Sequence, residues 1–460
     1  MRKDPGVDGD AQRISQMTWM IFLKIFDAME EEKEAENGYK SPLPEEIRWR
    51  KWASDEEGIT GEELLNFVNN NVFNKIKNLD VENDRKAQIV KQVFEDTYNY
   101  MKSGVLMRQV INEINKIDFT SSKDRHLFND IYETILKELQ SAGSSGEFYT
   151  PRAVTQFIVD MVNPKLGEIV LDPACGTGGF LISSLENMRK EIDSIDELKK
   201  LGKNIRGMEK KSLPHLLCMT NLMLHDIEEP NIKHDNSLSR PIRELSSKDM
   251  VDVVVTNPPF GGAEEEGIEN NFPSEFKTRE TADLFLVLIM KLLREEGRCG
   301  IVLPDGFLFG EGVKTRIKEK LLTEFNLHTI VRLPNGVFNP YTGIRTNLLF
   351  FEKGKPTKEV WYFEHPLPEG YKTYNKSKPI QIKEFDLEKE WWNDRENPKF
   401  KGYCWKVSKE EIEKRKFNLD INNPNGKEEV ENLSSKEILE KLEKSFEKSR
   451  ELIEKIKREV

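Results

Sequence analysis

The tetrapeptide Asn257–Phe260 has residue types that suit the activation of a poorly nucleophilic amine. It follows the hydrophobic run Val251–Thr256 and consists of Asn257, Pro258, Pro259 and Phe260. The two prolines fix the backbone and remove two N–H donors, which leaves carbonyl oxygens free to accept hydrogen bonds. If the Asn257 side-chain oxygen and the Pro258 carbonyl each accept one hydrogen of an aryl amine, the nitrogen can pyramidalise and attack a methyl group. We therefore predict catalysis by positioning and polarisation, without a covalent enzyme intermediate.

Phe260 adds an aromatic face to this motif. We expect it to stack on the base that carries the amine, and such a base has to leave a nucleic-acid helix to reach the pocket. The alternative is a strand terminator without a catalytic role. A glycine-rich turn upstream favours catalysis, because the two motifs together supply an acceptor site and a cofactor site.

That glycine-rich turn predicts the cofactor. The apolar strand Ile169–Asp172 ends in an acid, and a turn and then a helix starting near Phe180 follow it. Glycine lets the backbone bend sharply and approach a ligand closely, and the turn contains Gly176, Thr177, Gly178 and Gly179. The missing Gly-Lys-Ser/Thr excludes a P-loop, and the pattern DxxxGxGG differs from the GxGxxG of dinucleotide sites. We expect Asp172 to face the cationic amino-acid end of S-adenosylmethionine; the alternative is a structural strand turn.

Three other positions extend the predicted cofactor site. The next strand, Asn204–Met208, leads into Glu209, at a place where a carboxylate accepts hydrogen bonds from ribose hydroxyls. Asn236 follows a later strand and either binds the adenine ring of the cofactor or serves only its own turn. The segment Gly146–Arg152 is expected to close over the methionine end of the cofactor, or else only to start a helix, with Thr150 as N-cap and a proline at the first helical position.

Other residues resemble functional motifs but are interpreted as structural. Cys175 lies inside the glycine-rich turn, without the separate Pro-Cys motif of a cysteine nucleophile. Asn339–Thr342 lacks a second proline and a preceding apolar strand, so we interpret it as a turn before the strand Thr346–Phe351. For His225–Asp226 and His234–Asp235 no third ligand is apparent, and we predict no metal site.

Helical segments precede these motifs. Apolar residues recur at helical spacing from Ile14 to Ala28, and the last of several further helical segments ends at Leu139. The stretch Ser141–Gly146 combines small and flexible residues, which is typical of a loop or a boundary. We therefore predict an all-helical N-terminal domain over residues 1–140.

Beyond this boundary, short β-rich runs alternate with helical stretches, which indicates a mostly parallel sheet in an α/β domain. The predicted strands are Ile169–Asp172, Asn204–Met208, Val251–Thr256, Gly300–Leu303, Thr329–Leu333 and Thr346–Phe351. The predicted helices include Phe180–Lys190, Leu213–Leu224 and Ala282–Glu295. The predicted fold class is α/β: a Rossmann-like S-adenosylmethionine-dependent methyltransferase domain over residues 141–355, with a helical N-terminal domain and a helical C-terminal tail.

Residues 356–460 are predicted to form a C-terminal extension. The sequence after Gly354 is polar and irregular through Trp391, and a charged helix, Ser434–Arg458, follows. A heptad stripe runs along this helix through Leu439, Leu442, Phe446, Ser449, Ile453, Ile456 and Val460. The stripe indicates either an amphipathic helix docked on its own domain or a coiled-coil arm for a partner.

The composition limits the class of protein. The chain of 460 residues carries a formal net charge of −11, and its pI is near 5.4. This charge is opposite to what DNA binding by phosphate neutralisation alone would need. We therefore expect another component to supply much of the affinity for DNA. The four cysteines lack metal-ligand spacing, and no apolar run approaches the about 20 residues of a membrane span. We expect a cytoplasmic protein with reduced thiols and no membrane segment.

The motifs resemble those of the methylation subunits of Type I restriction-modification systems, usually called HsdM. The resemblance covers nearly the whole chain and rests on Gly146–Arg152, Asp172–Phe180, Asn257–Phe260 and Phe338–Phe351. It implies a DNA methyltransferase that modifies N6 of adenine and uses S-adenosylmethionine. It also implies which residues bind the cofactor, namely Glu147, Phe148, Tyr149, Thr150, Pro151, Arg152, Thr177, Gly178, Gly179 and Glu209, and which bind the target adenine, namely Asn257, Pro258 and Phe260.

The same resemblance implies partners. A separate specificity subunit reads the DNA site, two modification subunits flank it, and restriction subunits join the complex. Double-stranded DNA with a flipped adenine is the expected substrate. No long insertion after Phe260 resembles a target-recognition domain, which agrees with recognition of the DNA site by a separate subunit. We expect the tail to pack on helices of the specificity subunit and the isolated chain to bind DNA weakly.

Three alternatives stay open from the sequence. A protein glutamine methyltransferase or an RNA base methyltransferase can use the same tetrapeptide. N4-cytosine methylation is closer in chemistry, but that activity more often has a Ser-Pro-Pro motif, and Asn257 favours adenine. A scaffold without turnover is the third alternative, and the intact tetrapeptide and glycine-rich turn argue against it.

Overall fold

The computed structural model describes residues 1–35, 38–139, 149–192 and 194–425, together with Leu439, Leu442, Glu443, Phe446, Glu447, Ser449 and Arg450. Up to residue 139 the described chain is helical and contains no strand. Its helices are α1 (Gly9–Glu34), α2 (Trp49–Trp52), α3 (Gly61–Phe67), α4 (Asn74–Lys77), α5 (Arg85–Glu95), α6 (Gly104–Asn115) and α7 (Ser122–Leu139). The predicted helical character of this region is confirmed.

Side-chain caps and aromatic packing explain this helical region. Asp84 caps α5 by accepting the backbone N–H of Ala87 at 2.9 Å, which satisfies a donor that the first turn leaves free. Trp19 of α1 is fully buried and packs edge-on against Phe73, with ring centroids 5.1 Å apart. Such contacts between long, apolar helix faces stabilise the region more than helix propensity alone.

Nine strands in the described chain form one sheet in the order β3-β2-β1-β4-β5-β7-β6-β8-β9. They are β1 (Val170–Asp172), β2 (Ile205–Glu209), β3 (Asn231–His234), β4 (Val251–Thr256), β5 (Leu293–Pro304), β6 (Phe325–Arg332), β7 (Thr346–Lys353), β8 (Glu359–Glu364) and β9 (Cys404–Ser408). The helices after α7 are α8 (Arg152–Val162), α9 (Gly179–Arg189), α10 (Ile195–Asn204), α11 (Ser212–Leu224), α12 (Thr281–Leu292), α13 (Asp305–Phe309), α14 (Val313–Glu324), α15 (Asp386–Asn393) and α16 (Lys409–Lys414). The predicted α/β class is confirmed.

The sheet reverses its strand order beside β1. Strands β2 and β4 flank β1 and both run parallel to it. Farther along the sheet, β7 runs antiparallel to both β5 and β6. In open α/β sheets, ligands bind at the carboxyl ends of the strands where the order reverses. At this point the strands end in Asp172, Glu209 and Thr256.

The sheet continues into the segment that the sequence predicts to be an irregular extension. Strands β8 and β9 lie beyond residue 355, and β8 pairs in parallel with β6. Val360, Tyr362 and Phe363 of β8 are fully buried, although an acid stands at each end of the strand. Trp391 of α15 is also fully buried. The prediction of polar, irregular structure from Gly354 through Trp391 is therefore wrong.

Asp226 joins the helical region to the α/β region. Its carboxylate accepts hydrogen bonds from Arg125 of α7 and Arg189 of α9, each at 3.0 Å, and lies 3.0 Å from the ring nitrogen of His126. The pair His225–Asp226 is thus part of an ion-pair network. Within the described chain, no group of three or more His, Cys, Asp or Glu residues is arranged to bind a metal ion. None of the described helices is long and apolar enough to span a membrane.

The described residues of the tail are helical. Three members of the predicted heptad stripe are largely exposed: Leu439 (59%), Leu442 (48%) and Phe446 (71%). The last three members, Ile453, Ile456 and Val460, lie outside the described residues.

Candidate active site

Three strand ends bring the predicted cofactor turn and the tetrapeptide to one edge of the sheet. Strands β1 and β4 are paired through Leu171 and Val254, so Asp172 and Thr256 end neighbouring strands. Asn257 follows Thr256 directly. The two motifs therefore leave the sheet side by side.

Asp172 is buried at the end of β1, with 1% of its surface exposed. Its Oδ1 accepts hydrogen bonds from the Thr256 hydroxyl at 2.6 Å and from the Ala174 backbone N–H at 3.1 Å. Its Oδ2 is buried without a hydrogen-bond partner among the described groups. Burial raises the pKa of Asp172 to about 7, and the charge of Glu209 adds to this rise. A cation at Oδ2 would favour the ionised form.

The glycine-rich turn is packed too closely to admit side chains. A Cβ atom on Gly179 would lie 2.1 Å from a terminal guanidinium nitrogen of Arg152. One on Gly178 would lie 2.9 Å from Sγ of Cys218, and the φ of +84° at Gly178 also favours glycine. Thr177, directly before Gly178, is 1% exposed. Glycine is therefore required at both positions by protein packing, and the close approach of this turn to a ligand stays a prediction.

Glu209 is bonded to the same turn. Its Oε2 accepts the backbone N–H of Gly176 at 3.0 Å, and its Oε1 accepts that of Lys211 at 2.7 Å. A carboxylate oxygen has more than one acceptor site, so a carboxylate can accept from a backbone N–H and from a ligand hydroxyl together. Glu209 can fix the turn and bind a ligand at the same time.

Cys175 is buried beneath the turn, with its Sγ 3.8 Å from Sγ of Cys218. Burial raises the pKa of its thiol well above the usual value. A thiol in this state is a poor nucleophile. This agrees with the structural interpretation of Cys175.

The segment before α8 is fixed to α7 through one carboxylate. The Tyr149 hydroxyl donates a hydrogen bond to Oε1 of Glu133 at 2.6 Å, and Nε of Arg152 donates to Oε2 at 2.8 Å. Helix α8 begins at Arg152, with Pro151 as its N-cap. The prediction of Thr150 as the N-cap is therefore wrong, because the helix begins one residue later than predicted.

Thr150 contacts the tetrapeptide instead of the helix. The side-chain amide of Asn257 donates a hydrogen bond from Nδ2 to Oγ1 of Thr150 at 3.0 Å. The other polar atom of this amide, Oδ1, is buried and has no partner among the described groups. Pro258 is buried and Pro259 is exposed. The structure thus leaves free the acceptor oxygen that the sequence predicts.

Phe260 is 9% exposed and makes an edge-to-face contact with a second aromatic ring. Its ring lies at 87° to that of Phe338, with centroids 6.1 Å apart. Phe338 belongs to the turn before β7. An edge-on contact of this kind stabilises the ring pair and limits the orientation of Phe260.

Asn236 uses both polar atoms in its own surroundings. Its Oδ1 accepts the backbone N–H of Leu238 at 3.0 Å, and its Nδ2 donates to Glu264 at 3.3 Å. It also lines a cavity of about 370 Å³, together with Pro173 and Met208. The structural role of Asn236 in its turn is evident, and contact with a cofactor stays a prediction.

The described site contains most of the predicted residues and three that the sequence analysis did not select. Glu147 and Phe148 lie outside the described residues. The additional residues are Glu133, Thr256 and Phe338. Thr256 could have been found, because it ends β4 directly before Asn257. Glu133 had no local signal, since it lies on a separate helix and its contacts depend on tertiary packing.

Two family descriptions match the chain. Residues 123–433 match N-6 DNA Methylase, and residues 1–114 match the HsdM N-terminal domain. The chain is 58% identical over 434 residues to the Type I restriction enzyme EcoEI methylase subunit of Escherichia coli, covering 92% of this chain and 88% of the relative. Both kinds of similarity extend over most of the chain.

Solved structures show the same likeness. A modification subunit attributed to a type I restriction enzyme of Vibrio vulnificus YJ016 is 44% identical, with a TM-score of 0.84 over 94% of this chain and 96% of that chain. A chain from structural work on assembly and conformational transition of the type I R-M system is 37% identical, with a TM-score of 0.84 over 99% of this chain and 94% of that chain. The protein therefore belongs to the family of Type I restriction-modification methylation subunits.

Proposed function

We propose that the protein transfers a methyl group from S-adenosylmethionine to N6 of adenine in DNA, as the modification subunit of a Type I restriction-modification complex. Family membership supports the reaction. The observation that carries the assignment of residues is the buried Oδ1 of Asn257, which has no partner among the described groups. The adenine amine has two hydrogens, and this oxygen and the Pro258 carbonyl are the two acceptors for them.

The target base is proposed to lie against Phe260. A base inside a duplex cannot reach a pocket at the end of a strand, so the adenine has to flip out of its helix. Stacking on an aromatic ring compensates part of the lost stacking in DNA. The contact between Phe260 and Phe338 supports this role, because it limits the orientation of the ring before the base arrives.

The residues at the carboxyl edge fit S-adenosylmethionine. Oδ2 of Asp172 and one terminal nitrogen of Arg152 are buried without partners among the described groups, and they carry opposite charge when ionised. A ligand with an ammonium group and a carboxylate complements such a pair. We propose that Gly176, Thr177, Gly178 and Gly179 form the cradle, that Glu209 binds the ribose and that Asn236 binds the adenine ring. Tyr149 and Arg152, at the start of α8, would lie against the methionine end.

When bound, the cofactor supplies an electrophilic methyl group on a sulfonium centre. Asn257 and Pro258 accept the amine hydrogens, which directs the nitrogen lone pair toward that methyl group. With the cofactor bound, a C–N bond would form as the C–S bond of the sulfonium breaks, and the methylated amine would lose one proton to solvent. Since no residue becomes covalently attached, the rate depends on positioning and on the fixed acceptors.

The partners follow from the family. We propose that a specificity subunit reads the DNA site, that two copies of this chain flank it and that restriction subunits join the complex. The net charge of −11 supports a separate DNA-reading component. The exposed residues Leu439, Leu442 and Phe446 support the tail as an arm that packs on helices of the specificity subunit. A cytoplasmic location remains part of this proposal.

The test is methyl transfer by this chain co-expressed with its specificity subunit. Labelled methyl from the cofactor is followed into DNA, and the modified nucleoside is identified by mass spectrometry. N6-methyladenine that appears only with the partner supports the proposal. N4-methylcytosine, or label in protein or RNA, would assign a different acceptor. Cofactor binding without any transfer would favour a scaffold.

A further inference from the structure

We propose that Thr150 positions the side-chain amide of Asn257 for catalysis, a role separate from the cofactor contact that the family resemblance implies for it. The inference rests on the proposed function, because it concerns the same acceptor oxygen. It stands on two observations. Asn257 Nδ2 donates to Thr150 Oγ1 at 3.0 Å, and Asn257 Oδ1 is buried without a partner among the described groups.

The amide of Asn257 has two orientations that fill nearly the same space. Rotation by half a turn exchanges a donor NH2 group for an acceptor oxygen, and the side-chain torsion has a broad, roughly two-fold profile. Only one orientation can accept a hydrogen from the adenine amine. A buried amide group left without a partner costs about 1 to 3 kcal/mol. The Thr150 hydroxyl can donate as well as accept, so its specific role begins when the adenine amine donates to Oδ1. Thr150 Oγ1 then accepts from Nδ2, and both polar atoms of the amide are paired.

Thr150 is itself held in place by its neighbours. The Tyr149 hydroxyl and Nε of Arg152 both bind Glu133 of α7, at 2.6 Å and 2.8 Å. Pro151 restricts the backbone directly after Thr150. The β-branched side chain of Thr150 also has few rotamers, so its hydroxyl has a defined direction. Glu133 of α7 therefore fixes the segment that places the Thr150 hydroxyl against the side-chain amide of Asn257.

Loss of the Thr150 hydroxyl has a specific consequence. Without it Nδ2 is buried without that acceptor when Oδ1 accepts from the target amine, so the orientation that polarises the amine becomes more costly. The hydrogen bonds of Asp172 and Glu209 do not involve Thr150, so they persist in such a variant. The rate of methyl transfer falls while the affinity for the cofactor is retained.

The experiment compares Thr150→Val with Thr150→Ser in the complex with the specificity subunit and DNA. Valine keeps the β-branched shape without the hydroxyl, and serine keeps the hydroxyl. Thr97→Val is the matched control, since Thr97 is a buried threonine of the helical region whose hydroxyl donates to the Val93 carbonyl at 2.6 Å. The measurements are kcat at saturating S-adenosylmethionine and DNA, and the Kd of S-adenosylmethionine by calorimetry.

Thr150→Val is expected to lower kcat by about 10-fold to about 100-fold, with the cofactor Kd within about 2-fold of the parent. Thr150→Ser restores most of the rate, and Thr97→Val leaves it unchanged. An unchanged kcat in Thr150→Val overturns the inference. A decrease in the transfer rate that disappears at high cofactor concentration also overturns the inference, because Thr150 would then act on cofactor binding alone. Failure of the proposed function is distinguishable, since the parent complex would then form no N6-methyladenine.

Discussion

The hydroxyl group of Thr256 donates a hydrogen bond of 2.6 Å to Oδ1 of Asp172. This bond joins the ends of β4 and β1, so the residue directly before Asn257 is tied to the acid that we propose for the cofactor. Both side chains are buried, at 0% and 1% exposure. The cofactor site and the amine site thus share one rigid contact.

Thr256→Val is predicted to weaken cofactor binding. The substitution leaves a buried oxygen of Asp172 with one donor fewer, at a cost of about 1 to 3 kcal/mol. The expected result is a Kd for S-adenosylmethionine about 10-fold or more above that of the parent, and a lower melting temperature. Calorimetry and thermal unfolding measure both. Thr256→Ser keeps the hydroxyl and serves as the control; equal affinity in the valine variant would show that the bond is unimportant.

Cofactor affinity is predicted to rise with pH through about 7. Burial holds the pKa of Asp172 near 7, so the carboxyl group of the free protein is largely protonated below that pH. Its ionised form binds a cation better. Titration calorimetry between about pH 6 and about pH 8 should show this rise, and Asp172→Asn should remove it. The same slope in Asp172→Asn would assign the dependence to another group.

Asp172→Asn is predicted to stabilise the cofactor-free protein, more at high pH than at low pH. The pKa of Asp172 in the fold lies above its ordinary value of 3.8. The contribution of this group to the stability of the parent is therefore lost as pH rises from 3.8 through about 7. Asparagine has no charge to bury. Thermal unfolding should show a larger gain in melting temperature near about pH 8 than near about pH 5. A gain independent of pH contradicts the assignment.

Gly179→Ala is predicted to weaken cofactor binding by displacing Arg152. The new Cβ would lie 2.1 Å from the guanidinium group, which also bonds to Glu133. Moving this group costs about 1 to 3 kcal/mol and removes a cation from the proposed cradle. Gly402→Ala is the control, because no described heavy atom beyond its chain neighbours lies within 4 Å of its Cβ position. Calorimetry that finds parental affinity in Gly179→Ala would exclude this arrangement.

The sequence predicts those parts of the site that depend on local pattern. Asp172, the glycine-rich turn and Asn257 all lie where a strand gives way to a turn, and strand ends in a parallel sheet share one edge. The role of Thr150 could not be predicted. Its hydroxyl suits an N-cap in the local sequence, and only the fold brings it to Asn257, 107 residues away. The helix-capping propensity of Thr150 is therefore overridden by its tertiary contact with Asn257.

The C-terminal part of the sheet escaped prediction for a related reason. Strand β8 is short, and acids stand at both of its ends, Glu359 and Glu364. Its burial depends on β6 and β9, which pair with it from distant positions in the chain. Strand propensity depends strongly on such neighbours, so a short run carries little signal by itself.

The central claim is that the side-chain oxygen of Asn257 activates the adenine amine. Single-turnover methyl transfer by the Asn257→Ala complex, with pre-bound cofactor and target DNA, tests it most directly. Asn112→Ala is the control, because Asn112 also has a buried oxygen without a partner among the described groups but lies in the helical region. We predict a loss of about 100-fold or more in the transfer rate of Asn257→Ala, with unchanged cofactor affinity. A transfer rate equal to that of the parent would contradict the account.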